Sequence, residues 1–347
     1  MSERASGVSS PETPVLSARH LKKYFPVSGN RRLYVHAVDD VSFDLYEGET
    51  LGLVGESGCG KSTTGRMLVG IEPLTGGQVL YRGRDLSRMK PAEMRGIRTE
   101  LQMIFQDPFA ALNPKKRVYD ILSAPLLYHH LADRGNVGQM IDGLLSEVGL
   151  PRNAKDRYPH EFSGGQRQRI VIAKALSLNP KVIICDEPVS ALDNSIQAQV
   201  LNLLKDLQTE RGLTYLFIAH GLGTVHYISR RVAVMYLGKI VEMGNSDEIF
   251  RHPLHPYSQM LISSVPLPDP TKRDRRRLVS TGEIPSAAMI PSGCRFHDRC
   301  PFATPRCAEE EPPLTAAVPG SDRKTACWNT AAAEAALNGG EAGKENA

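Results

Sequence analysis

The residues with the plainest chemical purpose are Gly55-Glu56-Ser57-Gly58-Cys59-Gly60-Lys61-Ser62-Thr63, which satisfy G-x-x-x-x-G-K-[ST] at every fixed position. Glycines at this spacing let backbone N–H groups converge on phosphate oxygens, and a helix starting beyond them adds a fixed positive end. Lys61 would place its ammonium on the β- and γ-phosphates of a nucleotide, and the Ser62 hydroxyl would ligate Mg²⁺. A second group is Lys181-Val182-Ile183-Ile184-Cys185-Asp186-Glu187, an apolar run closing on two carboxylates. Strand ends of this kind are where open α/β sheets bind ligands. Asp186 would hold Mg²⁺, and Glu187 is the candidate general base for an attacking water. The third is Ser163-Gly164-Gly165-Gln166. A hydroxyl followed by exposed glycine N–H groups at a helix start makes a second anion cradle. An ordinary helix cap would explain the serine there, but not the two glycines and the glutamine.

These groups need a frame, and the chain supplies one. Thr50-Leu51-Gly52-Leu53-Val54 reads as a buried strand before the loop, and Thr63 to Val69 has the spacing of a helix start. Strand-like segments fill residues 15–54, helix-forming stretches such as Val118 to Ala124 and Val137 to Val148 follow, and apolar runs return at 182–185, 215–219 and 231–236. Strands alternating with helices imply an α/β fold built on a mainly parallel, doubly wound sheet. The helical stretch, about 107–178, reads as an insertion into a core domain spanning 15–264. Residues 265–328 read as a linker and a small cysteine-bearing extension. The ends, 1–14 and 329–347, have the composition of disordered segments.

At 347 residues the chain can hold one large or two modest domains. A formal charge of +4 is too small and too scattered to argue for nucleic acid, and the basic run Lys272-Arg273-Asp274-Arg275-Arg276-Arg277 reads as a solvated linker. No apolar stretch approaches the ~20 residues needed to span a bilayer, and Met1 to Pro14 lacks the hydrophobic region of a signal peptide. A cytosolic chain is expected, one that would work at a membrane only by docking onto another protein.

The order of phosphate loop, Ser-Gly-Gly-Gln and acidic strand end resembles the ATP-binding cassette (ABC) family, whose members clamp ATP between two such domains. The resemblance implies a P-loop nucleotide-binding domain with a mixed sheet core, an antiparallel β subdomain and a helical insertion. It also implies that Ser163 and Gly165 face the γ-phosphate held by a partner subunit. Gln106, in Ile104-Phe105-Gln106-Asp107-Pro108, resembles the glutamine that reaches Mg²⁺ and the γ-phosphate. Ser190-Ala191-Leu192-Asp193 resembles the loop that crosses the dimer seam, and His220 the switch histidine that contacts the γ-phosphate. Phe25, after the first strand, resembles the aromatic platform for adenine, with Tyr24 and Tyr34 nearby. The family usually has an aspartate after the switch histidine, and this chain has Gly221.

Glu56-Ser57-Gly58-Cys59-Gly60, Leu112-Asn113-Pro114, Tyr158-Pro159-His160-Glu161-Phe162 and His255-Pro256-Tyr257-Ser258-Gln259 look like the peptide/nickel branch of ABC importers, in its F-type ATPase subunits. In that branch such a subunit pairs with a D-type ATPase subunit, or with itself, beneath two membrane permeases at the cytoplasmic face of the membrane, with a solute-binding protein outside. The solute implied is a dipeptide or oligopeptide, with nickel or another small solute as the alternative. Residues around Phe109 to Leu122 would meet the permeases.

Four of six cysteines, Cys294, Cys300, Cys307 and Cys327, fall near the C-terminus. A reducing cytosol argues against disulfides, and their gaps match neither zinc knuckles nor the bacterial ferredoxin run. They resemble the C-terminal cysteine set of the same branch, which implies a [4Fe–4S] cluster ahead of zinc. Two rival classes share part of this pattern. A small-molecule kinase shares the phosphate loop but has no use for a second cradle. A non-transport ABC ATPase shares every motif, yet such proteins usually carry tandem cassettes or long coiled coils, which are lacking here.

Overall fold

The computed structural model describes residues 13–27, 29–264 and 285–338. The basic run 272–277, most of the linker and the outermost residues of both ends lie outside the described residues. The chain opens with two long strands, β1 (Leu16–Val27) and β2 (Asn30–Leu45), then β3 (Thr50–Val54) and helix α1 (Lys61–Leu68). Strands β4 (Gly76–Tyr81) and β5 (Arg84–Asp85) return alongside β1, giving a four-stranded antiparallel sheet in the order β2-β1-β4-β5. Helix α2 (Pro91–Glu100) leads into β6 (Leu101–Ile104).

The helical insertion follows as α3 (Pro108–Ala111), α4 (Val118–Tyr128), α5 (Val137–Glu147) and α6 (Gly164–Leu176). The core resumes with β7 (Val182–Asp186), α7 (Asn194–Arg211), β8 (Thr214–Ala219), α8 (Leu222–Ile228), β9 (Arg231–Tyr236) and β10 (Lys239–Asn245). Strands β6, β7, β8, β3 and β9 lie side by side and parallel. The residues of β3, β7 and β8 are buried on both faces, which is why they read as unbroken apolar runs. The period-2 alternation divides them between two cores. Ile183, Cys185, Tyr215 and Phe217 face the helical insertion and α7, while Val182, Ile184, Leu216 and Ile218 face α1 and the antiparallel sheet.

The small cysteine-bearing extension joins the main sheet. After α9 (Ser246–Arg251) and α10 (Pro256–Ser263), the chain adds α11 (Pro305–Glu309), β11 (Thr315–Ala316) and β12 (Lys324–Thr325). β12 pairs with β10 through Glu242↔Thr325 and Met243↔Lys324, so this part extends the main sheet as an antiparallel edge. The carboxylate of Glu242, fully buried, accepts the N–H groups of Leu254 and His255 at 3.0 Å and Arg323 Nη2 at 2.7 Å. His255 Nδ1 in turn caps α10 by accepting from Tyr257 N at 3.0 Å, and burial holds that imidazole neutral, with its pKa down at about 3. Glu242→Ala would leave two buried amides without their acceptor and the Arg323 guanidinium with the His252 carbonyl but no carboxylate. We expect it to lower unfolding stability by about 3–5 kcal/mol in denaturant titration.

Residues read as a disordered tail from 329 also differ in part. Thr330–Asn338 forms helix α12, Ala333 is buried, and its carbonyl accepts from Gln259 Nε2 at 3.0 Å. An alanine-rich run is the strongest helix former, and a small residue fits the space beside α10.

Candidate functional site

The site is assembled at one edge of the parallel sheet. Gly55 follows β3, Gln106 lies two residues beyond β6, Glu187 follows β7 and His220 follows β8. Because β3, β8, β7 and β6 are consecutive parallel neighbours, their C-terminal ends open side by side. Residues more than a hundred positions apart thus share one edge.

The loop between β3 and α1 takes the shape its glycines allow. Gly55, Gly58 and Gly60 have φ of 156°, 78° and 108°. A Cβ at Gly55 would lie 2.1 Å from Met235 O, and one at Gly60 would lie 2.0 Å from Ala37 O. The loop is therefore pressed against β9 on one side and β2 on the other. Ser57 and Gly58 form its exposed tip, and Cys59 is buried beneath it. Lys61 is buried too, with Nζ donating to Gly55 O at 2.7 Å and Glu56 O at 2.9 Å. These bonds curl the loop around its own ammonium. Ser62 and Thr63 enter the first turn of α1, whose leading N–H groups have no intrahelical partner.

Ser62 Oγ donates to Asp186 Oδ1 at 2.7 Å, which joins the two residues expected to hold Mg²⁺. Asp186 is fully buried, and its Oδ2 has no hydrogen-bond partner. Burial pushes its carboxyl above the usual range, with the Ser62 hydroxyl opposing that shift. A buried carboxylate with an orphaned oxygen is costly unless a cation meets it, so the donor set fits a divalent ion.

Gln106 Nε2 donates to Glu187 Oε2 at 2.8 Å, which brings together the residue linking to the helical insertion and the candidate base. Glu187 has φ of 48°, an uncommon conformation for a glutamate. It is held there because its N–H donates to Ile218 O at 2.9 Å and its carbonyl accepts from Ser190 Oγ at 3.1 Å. His220 stands exposed on the neighbouring strand end. Gly221 starts α8 without a side-chain cap, and glycine at that position costs a helix only a few tenths of a kcal/mol relative to aspartate.

Ser163-Gly164-Gly165-Gln166 also has a local structural role. Ser163 is the N-cap of α6; its Oγ accepts from Gln166 N at 3.4 Å, and its N–H donates to Gln166 Oε1 at 3.1 Å. The glutamine thus completes a capping box. Gly165 is buried, and a Cβ there would sit 2.3 Å from Ile196 Cγ2. Gly165→Ala should cost about 1–3 kcal/mol in stability, read as a lowered melting temperature, because the branched Ile196 cannot step aside. Asp193 likewise has a structural duty, capping α7 by accepting from Ile196 N at 3.0 Å and Ser195 Oγ at 2.7 Å.

Phe25 lies on β1 opposite Val35, two residues along β2 from the Ala37 carbonyl that meets the loop. The Lys23 ammonium stands 4.8 Å from its ring centroid. Tyr24 points elsewhere: it stacks on His36 at 4.1 Å and donates its hydroxyl to Asp39.

Cys294, Cys300, Cys307 and Cys327 do come together, lining one pocket of about 10 Å³ with Phe296, Phe302 and Trp328. That is no more room than a single water needs. Burial pushes the Cys294 thiol up to about 12 and Cys300 to about 11, with the neighbouring cysteines adding to both shifts. Among the described residues no group of three or more His, Cys, Asp or Glu side chains is arranged to hold a metal ion. The expected iron–sulfur cluster therefore gains no support, and no step below passes through one.

Comparison with known proteins agrees with this geometry. The ABC transporter family profile matches residues 38–190, and that of the oligopeptide/dipeptide transporter C-terminal region matches 241–307. The oligopeptide transport ATP-binding protein AppF of Bacillus subtilis is 51% identical over 313 residues, covering 88% of this chain and 94% of that protein. OppF of Escherichia coli, with the same description, is 51% identical over 308 residues, covering 86% and 92%. Among solved structures, cbiO1 from Clostridium perfringens, part of an ABC transporter complex, superposes with a TM-score of 0.60 at 26% identity, covering 69% of this chain and 92% of that one. The dimeric cassette MJ0796 gives the same TM-score at 24% identity, over 67% and 98%, and speaks for the fold alone. The chain belongs to the ABC transporter ATP-binding proteins.

Proposed function

We propose that this chain is the ATP-hydrolysing subunit of an importer for oligopeptides or dipeptides, working at the cytoplasmic face of the membrane. The observation that carries the ATPase reading is the pairing of Ser62 with Asp186 and of Gln106 with Glu187 along one sheet edge beside the loop. Lys61 and the loop amides bind the triphosphate, and Phe25 offers a ring for adenine. Ser62, Asp186 and Gln106 would hold Mg²⁺, which when bound neutralises charge on the β- and γ-phosphates. Glu187 orients a water and accepts its proton, with Gln106 fixing the carboxylate. His220, exposed beside them, would meet the γ-phosphate.

One chain presents the Ser163 cradle on an exposed helix start, so a second cassette completes each site. Ser163 and Gly165 act on nucleotide held by the partner, either a D-type subunit or a second copy. No helix among the described residues is long and apolar enough to cross a membrane, and permeases would supply the path. An open groove of about 590 Å³ lined by Phe109, Leu112, Pro114, Ile121 and Pro125 suits a permease helix. Phe109 is exposed there beneath the Arg167 guanidinium, 4.0 Å from its ring centroid. The peptide substrate rests on the names of the relatives. In vesicles carrying the assembled complex, peptide-loaded binding protein should stimulate ATP turnover. Stimulation by nickel alone, or copurification with ribosomes in place of permeases, would overturn the reading.

A further inference from the structure

Two residues outside the nucleotide motifs, Arg299 and Tyr257, bond to the phosphate loop directly, and a third, Arg295, reaches it through a neighbouring turn. Arg299 grips the loop glutamate from both sides, with Nη1 to Glu56 Oε2 at 2.8 Å and Nη2 to Glu56 Oε1 at 3.0 Å. It also donates to the Tyr236 hydroxyl at 3.3 Å. Tyr257 accepts the Glu56 N–H at 2.8 Å. Arg295 donates to Leu237 O and pairs with Asp39. The turn it holds is bonded to the loop as well: Gly238 N donates to Cys59 O at 2.9 Å, and Asp39 N donates to Gly238 O at 2.8 Å. Both arginines are more than nine-tenths buried, at 7% and 8% exposure. They lie in one seven-residue segment bounded by Cys294 and Cys300.

We propose that this segment is a brace for the nucleotide site, and that Arg299 is a positioning residue that neutralises and fixes Glu56. The sign of the effect follows from charge. Glu56 sits on the loop that must receive a triphosphate, and its carbonyl is one of the two holding Lys61. Paired with a fork-shaped guanidinium, its carboxylate is fixed and its field is cancelled. Unpaired, it is an anion beside an anion-binding loop, poorly screened because it is partly buried. Arg295 acts at the other end of the same loop, through the Gly238–Cys59 bond. The C-terminal part therefore governs how tightly the core binds nucleotide.

This rests on the loop being the nucleotide site, which the parent chain tests by itself through Mg-ATP binding that Lys61→Ala removes. The brace is tested by calorimetric titration of Mg-ATP into the full chain carrying Glu187→Gln to prevent turnover. Arg299→Met should weaken binding about tenfold. Adding Glu56→Gln to it should recover most of that loss, because the repelling charge is gone. A residue needed only for folding would give no such recovery. Arg299→Lys, which keeps the charge but loses the fork, should fall between and carries the test if Arg299→Met does not fold. Parent-like affinity in folded Arg299→Met or Arg299→Lys, or a double variant no better than Arg299→Met, would overturn the proposal.

Discussion

Glu187→Gln should leave Mg-ATP binding within a few-fold of the parent chain while turnover falls about 10²–10⁴-fold. The amide keeps the volume of the carboxylate and can still meet Gln106, 2.8 Å away in the parent. The backbone that holds residue 187 at positive φ is tied by its own N–H and carbonyl, so the exchange leaves the frame in place. What is lost is a proton acceptor beside the attacking water. Nucleotide should therefore accumulate unhydrolysed, and the complex should be trapped with ATP bound. Filter retention of radiolabelled ATP together with phosphate release checks both halves. Turnover equal to the parent would remove Glu187 from the role of base.

Lys61→Ala has the other large expected effect, on binding. The ammonium is buried, and its bonds to Gly55 O and Glu56 O shape the loop before any nucleotide arrives. Its removal takes away the one cation at the centre of the loop and frees two carbonyls to relax. Charge-assisted hydrogen bonds contribute about 1.5–3 kcal/mol each, so affinity for Mg-ATP should fall about a hundredfold or more. Calorimetric titration reads this directly, and a change of less than threefold would contradict it. The two variants part cleanly, since one binds without turning over and the other scarcely binds.

Local motifs were legible where local chemistry dictates them. The Gly55–Thr63 loop needs glycines where a Cβ would strike Met235 O or Ala37 O, and such needs are written in the sequence itself. The buried strands at 182–186 and 214–219 were legible because both faces pack, which leaves unbroken apolar runs. Gly165 and Gln166 suit an anion cradle by sequence, and packing against Ile196 and a capping box require the same residues. The two roles select the same residues, and only the fold reveals the structural one.

Long-range partners left less trace. Arg299 and Glu56 are 243 positions apart, and neither carries a spacing that announces the other. The one available signal was an arginine set beside each of two cysteines, Arg295 after Cys294 and Arg299 before Cys300. The pairing of β12 with β10 was hidden for a similar reason, since two residues of strand carry no periodicity. Helix α12 leaves no clear trace in the sequence because alanine, glycine and glutamate also mark disordered tails, and the contact at Ala333 depends on tertiary structure.

The central claim is that this chain holds half of each active site, with Lys61, Asp186 and Glu187 on one side and Ser163 offered to the other. Its most direct test is ATP turnover by the purified chain with its mass followed by light scattering, before and after addition of the second cassette. The account predicts that the monomer binds Mg-ATP yet hydrolyses it no faster than the Glu187→Gln variant, and that turnover appears only with the dimer. Full turnover by a chain that stays monomeric throughout would contradict it.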